Sequence, residues 1–400
     1  VLLAIAGVPI FLYGAQRLGP IAVLGFQAAF YVYWGILAGV LFDFHHVVFA
    51  VTAVSGALYA AETRRNRLLV ACVAVAMLSR EDTALTLVAL GVYIAIAQRR
   101  WILGVALAAI NAAWFLLLLR VVMPWLAGIA YRHWSYTALG TGPLLAVRHI
   151  LLDPIGSVEL LFKPITKIRV WLASFGGWLF LPLISPLLIV VLPSFLERFW
   201  NDGPDFWTFH MQYSMPAAPI LAFAAIDGAG RLARLLPRLD ARAWGLRIGL
   251  AVLAVSAVLS VAVNPLAELG TYVSGSTPAD IQSCLDLIPP DASVSASQEL
   301  LPHLATRDVL YGIPAQVPGQ AVAGPLLLNA DFIAIDVASD GNSEQDLRTV
   351  VKTAMADGFG VVCSKELAVV LSRGAVGPSL TPQLERWLAG DCSGRACLSS

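Results

Sequence analysis

Charged residues are scarce in this chain: they make up 13% of its 400 residues, whereas hydrophobic residues make up 58%. Soluble domains carry ~25% charged residues, so the composition excludes an ordinary soluble globular protein. Hydrophobic runs recur along most of the sequence, which predicts a polytopic membrane protein. The formal net charge is zero. Nothing in the charge balance therefore favours a nucleic-acid partner, and we expect none.

Signatures of several soluble enzyme classes are also missing. The chain contains no glycine-rich phosphate loop, no protein-kinase signature and no nucleophile elbow. It has no internal repeat at a solenoid period. It opens at Val1, inside a hydrophobic run and without an initiator methionine. We therefore expect the natural N-terminus to lie upstream.

Cysteine is sparse, with five residues in the whole chain. Cys72 lies in an apolar run and is expected to be a small core residue. The other four, Cys284, Cys363, Cys392 and Cys397, fall in the polar C-terminal part, and no pair shows metal-ligand spacing. Disulfides are permitted if that part is extracytoplasmic, and Cys392 with Cys397 is the expected local pair.

Long apolar runs predict a polytopic α-helical membrane protein with about 8–10 spans. The runs cover roughly residues 1–14, 20–41, 47–62, 68–79, 83–98, 101–122, 169–198, 213–230 and 246–266. The run 169–198 contains Pro182 and Pro186. Because proline interrupts a helix, this run is predicted to form a hairpin of two short helices, or a re-entrant pair, that returns to the same membrane face.

Arginine-rich loops orient these spans. The positive-inside rule places Arg64–Arg67, Arg99–Arg100 and Arg231–Arg247 in the cytoplasm. Counting spans from these loops puts four short polar clusters together on the opposite, extracytoplasmic side. Ionisable groups beside membrane spans are costly and usually functional, so we predict that the clusters form one site. The clusters are Asp43–His46, Arg80–Asp82, Arg132–Trp134 and Asn201–Tyr213.

The chain is predicted to divide into a transmembrane helical domain at residues 1–266 and a small extracytoplasmic α/β domain at 267–372. An irregular tail rich in Gly, Pro and Ser follows at 373–400. Alternating strand-like and helical patterns are typical of an α/β domain. They predict strands at 292–296, 332–336, 360–363 and 367–371, and helices at 278–287 and 343–357.

The first cluster places Asp43 beside His45 and His46. A carboxylate next to imidazoles can bind a divalent cation, hold a phosphate or relay protons. The alternative is a structural role, in which Asp43 caps the helix that begins near Val47. Two adjacent histidines point in different directions on a helix, so at most one is expected in the site.

The second cluster joins Arg80, Glu81 and Asp82 between two apolar runs. Arg80 could bind a phosphate through two hydrogen bonds, while a carboxylate acts as a base or a metal ligand. The alternative is again capping, because the helix dipole favours Glu81 and Asp82 in the first turn of the next helix.

The remaining candidates have weaker signals. Arg132 lies among aromatic residues that could anchor the membrane interface or stack on sugar rings. His210, Gln212 and Tyr213 belong to a segment that is polar enough to contact substrate. His303 follows a strand-like run, where capping or domain docking is the competing explanation.

The order of these motifs resembles a family of bacterial predicted membrane proteins of unknown function. The resemblance rests on Leu41–His45, Ser79–Asp82, Gln212–Tyr213, Pro289–Val294 and Pro302–Leu304. That family looks similar to the GT-C glycosyltransferases, which are polytopic enzymes. The resemblance implies a polyprenyl-phosphate sugar donor, an extracytoplasmic glycan or protein acceptor, and a multi-pass location in the bacterial plasma membrane. It also implies a catalytic acidic residue in a first external loop that precedes this chain.

Under that hypothesis Asp43, Glu81 and Asp82 are catalytic, and Arg80 with His45 neutralises the leaving phosphate. The substrate would also contact a further set of residues, namely His46, Arg132, His210, Gln212, Tyr213 and His303. Two carboxylates and two histidines permit a divalent cation without requiring one. A transporter or lipid-handling protein and a non-catalytic membrane scaffold are the alternatives. A transporter predicts ionisable residues at mid-membrane depth.

Overall fold

The computed structural model describes most of the chain. The described residues are 1–41, 45–127, 134–209, 211–235, 241–263, 279–313, 329–338, 342–365, 368–393 and 397. The chain divides into two compact units, Val1–Val273 and Ser274–Ser400.

The N-terminal unit is helical. Its helices are α1 (Leu2–Leu18), α2 (Pro20–Val32), α3 (Trp34–Leu41), α4 (Val47–Glu62), α5 (Asn66–Ser79), α6 (Thr83–Ile96), α7 (Trp101–Leu117), α8 (Met123–Ala127), α9 (Pro143–Leu152), α10 (Pro154–Leu160), α11 (Ile165–Gly176), α12 (Leu188–Trp200), α13 (Ala217–Leu235) and α14 (Ala241–Val263). A π-helical turn at Leu118–Val122 joins α7 to α8.

Three stretches are long and apolar enough to cross a membrane. They are Pro20–Leu41, Trp101–Leu126 and Ala243–Val263. Several shorter apolar helices accompany them, among them α4, α5 and α6. The structure therefore bears out a mostly helical fold with candidate membrane spans, while the larger number of spans expected from the sequence stays a prediction.

Small residues let the apolar helices pack closely. A Cβ atom at Gly25 of α2 would collide with the backbone of Gly249 on α14, and one at Gly91 of α6 would lie 2.6 Å from the backbone nitrogen of Ala108 on α7. Ser256 also donates to the carbonyl of Ala29 at 3.4 Å. Close backbone approach at small residues is how helices associate where no water drives them together.

Residues 165–200 fold into the hairpin predicted from the proline break. Helix α11 ends at Gly176, a 3₁₀ turn follows at Leu181–Ile184, and α12 forms the second arm of the hairpin. The Trp171 ring stacks on the Phe195 ring with 4.6 Å between centroids. The buried Lys167 ammonium donates to the carbonyl of Phe199 at 2.6 Å. These contacts hold the two ends of the hairpin at the same end of the unit.

A polar network of two buried carboxylates and two partly exposed arginines joins α1, α4 and α13. It lies at the ends of α4 and α6 that are away from the Arg80–Asp82 pair. Arg17 donates to Asp227 at 2.7 Å and to Glu62 at 2.8 Å. Asp227 also accepts from Arg231 at 2.6 Å and from Ser185, in the hairpin turn, at 2.7 Å. Two carboxylates and two guanidinium groups balance each other, so the network is a structural clamp.

The C-terminal unit contains a five-stranded sheet in the order β2-β1-β3-β5-β4. Strand β1 pairs in parallel with β2 and β3, and β5 pairs antiparallel with β3 and β4. The strands are β1 (Val294–Ala296), β2 (Leu310–Gly312), β3 (Phe332–Asp336), β4 (Phe359–Lys365) and β5 (Ala368–Arg373). The helices are α15 (Ala279–Leu285), α16 (Leu301–Leu304), α17 (Glu344–Ala356) and α18 (Pro382–Ala389).

This sheet contains the four strands predicted from alternation. Strand β3 has the predicted ends, and the other three have shifted ends. Strand β2 was not predicted, because it has three residues and none of them is fully buried, so it shows no period-2 pattern.

The tail expected to be irregular contains helix α18, and that prediction is wrong. Thr381 caps this helix by accepting from the backbone of Leu384, and Trp387 of the same helix is buried. Cys392 and Cys397 form the expected disulfide. Cys284 and Cys363 form a second disulfide that was not predicted and that ties α15 to β4.

Candidate functional site

A small polar cavity of about 30 Å³ lies among α4, α6, α12 and the segment before α13. Its apolar lining comes from Ala50 and Val54 of α4 and from Phe206 and Pro216. The polar lining consists of Arg80, Asp82, Thr83, Thr86, Ser194, Glu197, Arg198 and Tyr213. A cavity that collects this many ionisable groups among apolar helices is the best candidate site of the N-terminal unit.

Arg80 and Asp82 form an ion pair at the start of α6. Their side chains are 14% and 18% exposed. Asp82 occupies the N-cap position of α6 and its side chain makes no capping hydrogen bond. A carboxylate at that position still meets the positive end of the helix dipole, so the dipole and the ion pair both account for its placement. Burial raises the pKa of Asp82, and the Arg80 guanidinium opposes that rise. The ion pair therefore offsets part of the cost of burying the Asp82 carboxylate.

Glu197 of α12 lies across the cavity from this pair. Within the described residues its carboxylate makes no hydrogen bond and no ion pair. One turn earlier on α12, the Ser194 hydroxyl lies 3.2 Å from that of Thr86 on α6. Glu197 was not among the sequence-predicted site residues, because it falls at the end of the apolar run 169–198. The available signal was a single carboxylate next to an arginine at a helix end.

Arg198 holds the segment that follows α12. Its buried guanidinium donates to the carbonyls of Phe206 and Thr208, the latter at 2.7 Å, and to the hydroxyl of Ser214. Tyr213 is stacked on Phe206 with 4.2 Å between ring centroids. The Arg198 guanidinium is thus fully engaged with the segment 206–214. Its role is to hold this segment, and with it Tyr213, at the wall of the cavity. Burial raises the pKa of the Tyr213 hydroxyl.

An apolar groove of about 590 Å³ adjoins the polar cavity. Its walls are formed mainly by apolar residues of α6, α7, α9 and α12, such as Val92, Phe115, Ile150 and Leu192. Glu81, Asp82 and Glu197 also line it. Asp82 and Glu197 line both the groove and the cavity. These two carboxylates therefore stand where an apolar channel meets a polar pocket.

Trp134 and Tyr136 complete this groove. The backbone of Thr137 donates to the carboxylate of Asp202 at 2.7 Å, and the backbone of Asp202 donates to the carbonyl of Ser135 at 2.8 Å. The segments around 134–137 and 201–213 are thus tied together. The described parts of the second, third and fourth polar clusters meet around one groove and one cavity.

The histidines of the first cluster lie next to Arg80. The rings of His45 and His46 are 4.5 Å apart, so the two imidazoles lie side by side. Burial, followed by the charges of His46 and Arg80, lowers the pKa of His45. This shift favours the neutral imidazole near neutral pH.

The other predicted site residues are placed as follows. Gln212 is buried beside Tyr213, and its Oε1 atom has no hydrogen-bond partner among the described residues. His303 belongs to the C-terminal unit, on α16, with an exposed side chain. Asp43, Arg132 and His210 lie outside the described residues.

Metal-ligating side chains are not grouped in the described part of the chain. No set of three or more His, Cys, Asp or Glu residues there could hold a metal ion. The predicted cation site at Asp43 involves a residue outside that part, so the prediction of a divalent cation stays a prediction.

Fold and site together define a helical protein of the membrane class with a charged cavity at the end of an apolar groove. The chain belongs to the family described as "Predicted membrane protein (DUF2079)", whose model matches residues 1–368. The family resemblance seen in the sequence is thereby confirmed. No curated protein and no solved structure matches the chain.

Proposed function

We propose that this protein is an integral membrane glycosyltransferase of GT-C type that takes a sugar from a polyprenyl-phosphate donor. One observation carries the proposal: an apolar groove of about 590 Å³ is bordered by Glu81, Asp82 and Glu197, and the last two also line the polar cavity. The groove suits a long hydrocarbon chain, and the carboxylates lie where the polar head of that lipid would be.

The reaction follows from this placement. A hydroxyl oxygen of the acceptor bonds to the anomeric carbon of the sugar, while the bond from that carbon to the phosphate oxygen breaks. The polyprenyl phosphate leaves with the electron pair, and a carboxylate takes the proton of the hydroxyl. Glu197 suits the role of proton acceptor because no hydrogen bond and no ion pair engages its carboxylate in the described part of the chain. Asp82 and Glu81 remain candidates, as does Asp43.

The charged residues that border the groove determine where a donor phosphate could bind. Three carboxylates face one guanidinium, Arg80, which is already paired with Asp82. A phosphate would be repelled there unless Arg80 or an added divalent cation meets it. We therefore propose that Arg80, assisted by His45, is the phosphate contact.

Location and orientation are part of the proposal. Arginine-rich loops place the opposite ends of the helices in the cytoplasm, so the groove end would face outward from a bacterial plasma membrane. Two disulfides in the C-terminal unit support an extracytoplasmic position for that unit, since disulfides persist in oxidising compartments. An extracytoplasmic glycan or protein would be the acceptor.

The test is sugar transfer by membranes that contain the full-length protein, supplied with labelled polyprenyl-phosphate sugar. Glu197→Gln removes a proton acceptor without breaking any contact of the Glu197 carboxylate seen in the described residues, and we expect the rate to fall ~10²–10⁴-fold. Asp82→Asn should also lower it. The matched control is Glu159→Gln, an exposed carboxylate paired with Lys163. Transfer at the wild-type rate by both site variants would exclude these roles.

A lipid-handling protein is the second candidate, because the groove by itself requires only a hydrocarbon chain. That function would leave the labelled sugar on its lipid carrier and would tolerate Glu197→Gln. Product analysis in the same assay separates the two: a new glycosidic bond supports the transferase, and movement of intact donor between vesicles supports the alternative.

A further inference from the structure

A second apolar groove, of about 750 Å³, lies on the other flank of the hairpin, between α11 and α14. Leu172 and Gly176 of α11 form one wall, and Val255, Leu259 and Val263 of α14 form the other. No carboxylate and no hydroxyl group lines it within the described residues. It therefore lacks the groups that give the first groove its acid–base chemistry.

One cation stands at the mouth of this second groove. Arg169 lines it and is exposed, and within the described part of the chain its guanidinium makes no hydrogen bond and no ion pair. The neighbouring cations are engaged: Lys163 pairs with Glu159, and Lys167 donates to the carbonyls of Leu160 and Phe199. A single uncompensated positive charge is thus left beside an apolar channel.

The length of the groove along α14 is close to the hydrocarbon thickness of one leaflet. Its lining on α14 runs from Val255 to Val263, which corresponds to about 12 Å at 1.5 Å per residue. Half of the ~30 Å hydrocarbon core is ~15 Å. Gly176 packs near Leu259. Arg169 is the first α11 residue of the lining, about two turns before Gly176, so its guanidinium stands at one end of the α11 wall.

We propose that this groove binds an anionic phospholipid of the surrounding bilayer, with an acyl chain between α11 and α14 and its phosphate on Arg169. The occupant is a bilayer phospholipid rather than a reacting donor, because the groove has no group that could take part in transfer. This inference does not depend on the glycosyltransferase proposal.

The test uses the purified full-length protein, freed of lipid in detergent and analysed by native mass spectrometry with added lipid. Wild type is expected to bind phosphatidylglycerol about fivefold more tightly than phosphatidylcholine, the factor that corresponds to ~1 kcal/mol for one basic residue at a membrane surface. Arg169→Gln should abolish this preference. The control Arg148→Gln alters an exposed arginine of α9 and should preserve it.

Substitutions of Gly176 test whether the acyl chain of the lipid lies between α11 and α14. A Cβ atom at Gly176 would lie 3.5 Å from Leu259 and 4.0 Å from Phe180, so Gly176→Ala fits whereas Gly176→Leu fills the groove. Gly176→Leu should weaken binding of both lipids, and Gly176→Ala should not. Equal binding of the two lipids by wild type, or an unchanged preference in Arg169→Gln, would overturn the proposal.

Discussion

Arg80 sets the electrostatics of the cavity at the scale of a single residue. Asp82 is buried in a way that raises its pKa, and Arg80 is the cation that opposes this rise. The two groups come from one short sequence motif, which is why they could be singled out from the sequence. Glu197 comes from α12, more than a hundred residues later, and only the packing of α12 against α6 brings it to the same cavity.

We expect Arg80→Gln to raise the pKa of Asp82 further, because it removes the charge that stabilises the carboxylate. If transfer requires ionised Asp82, the acid limb of the pH–rate profile should move to higher pH. Arg80→Lys keeps a cation and should move the limb less. Initial rates from about pH 4 to 8 measure the shift, and an acid limb that stays in place in Arg80→Gln would show that Asp82 does not control it.

At the scale of helix packing, the polar network around Asp227 joins α1, α4 and α13. Asp227 is one residue of the apolar run 213–230, and its sequence neighbourhood gives no sign that it meets Arg17 and Ser185. In the structure its carboxylate joins α1, α13 and the hairpin turn. Charged residues inside the helical unit therefore do not by themselves favour a transport pathway.

Removing this carboxylate should destabilise the helical unit. Asp227→Asn removes the carboxylate that Arg17 and Arg231 share. Because the two arginine side chains are 35% and 41% exposed, we expect a loss of about 1.5–3 kcal/mol, the range for hydrogen bonds to charged groups, and the thermal unfolding temperature in detergent should fall by several degrees. Glu159→Gln breaks an exposed pair with Lys163, worth only ~0.3–0.5 kcal/mol. Similar unfolding temperatures for the two variants would show that the clamp contributes little.

At the scale of the whole molecule, the two disulfides differ in what they constrain. Cys284 and Cys363 are 79 residues apart in the chain, whereas Cys392 and Cys397 are 5 apart. Four cysteines allow three pairings, and the sequence favours only the local one. The long-range bridge joins α15 to β4 and closes most of the sheet into one loop.

Loss of the long-range bridge should therefore cost more stability. The loop-entropy relation gives about 4.5 kcal/mol for a loop of this length and about 2 kcal/mol for the short one. Alanine replacement of both cysteines of each pair, in the full chain, should reveal the difference in hydrogen exchange of the β3 and β5 amides. Faster exchange after loss of Cys392–Cys397 than after loss of Cys284–Cys363 would contradict this ranking.

The sequence by itself determined the membrane class, the positions of most helices, four strands of the C-terminal sheet and the Arg80–Asp82 motif. These features follow from the transfer free energy and backbone preferences of neighbouring residues, which are local properties. The tertiary structure alone decided that Glu197 faces Asp82, that Asp227 meets Arg17, that Cys284 pairs with Cys363 and that α18 forms in the tail. Such pairings depend on how segments distant in the chain pack against each other, and no local pattern encodes that packing.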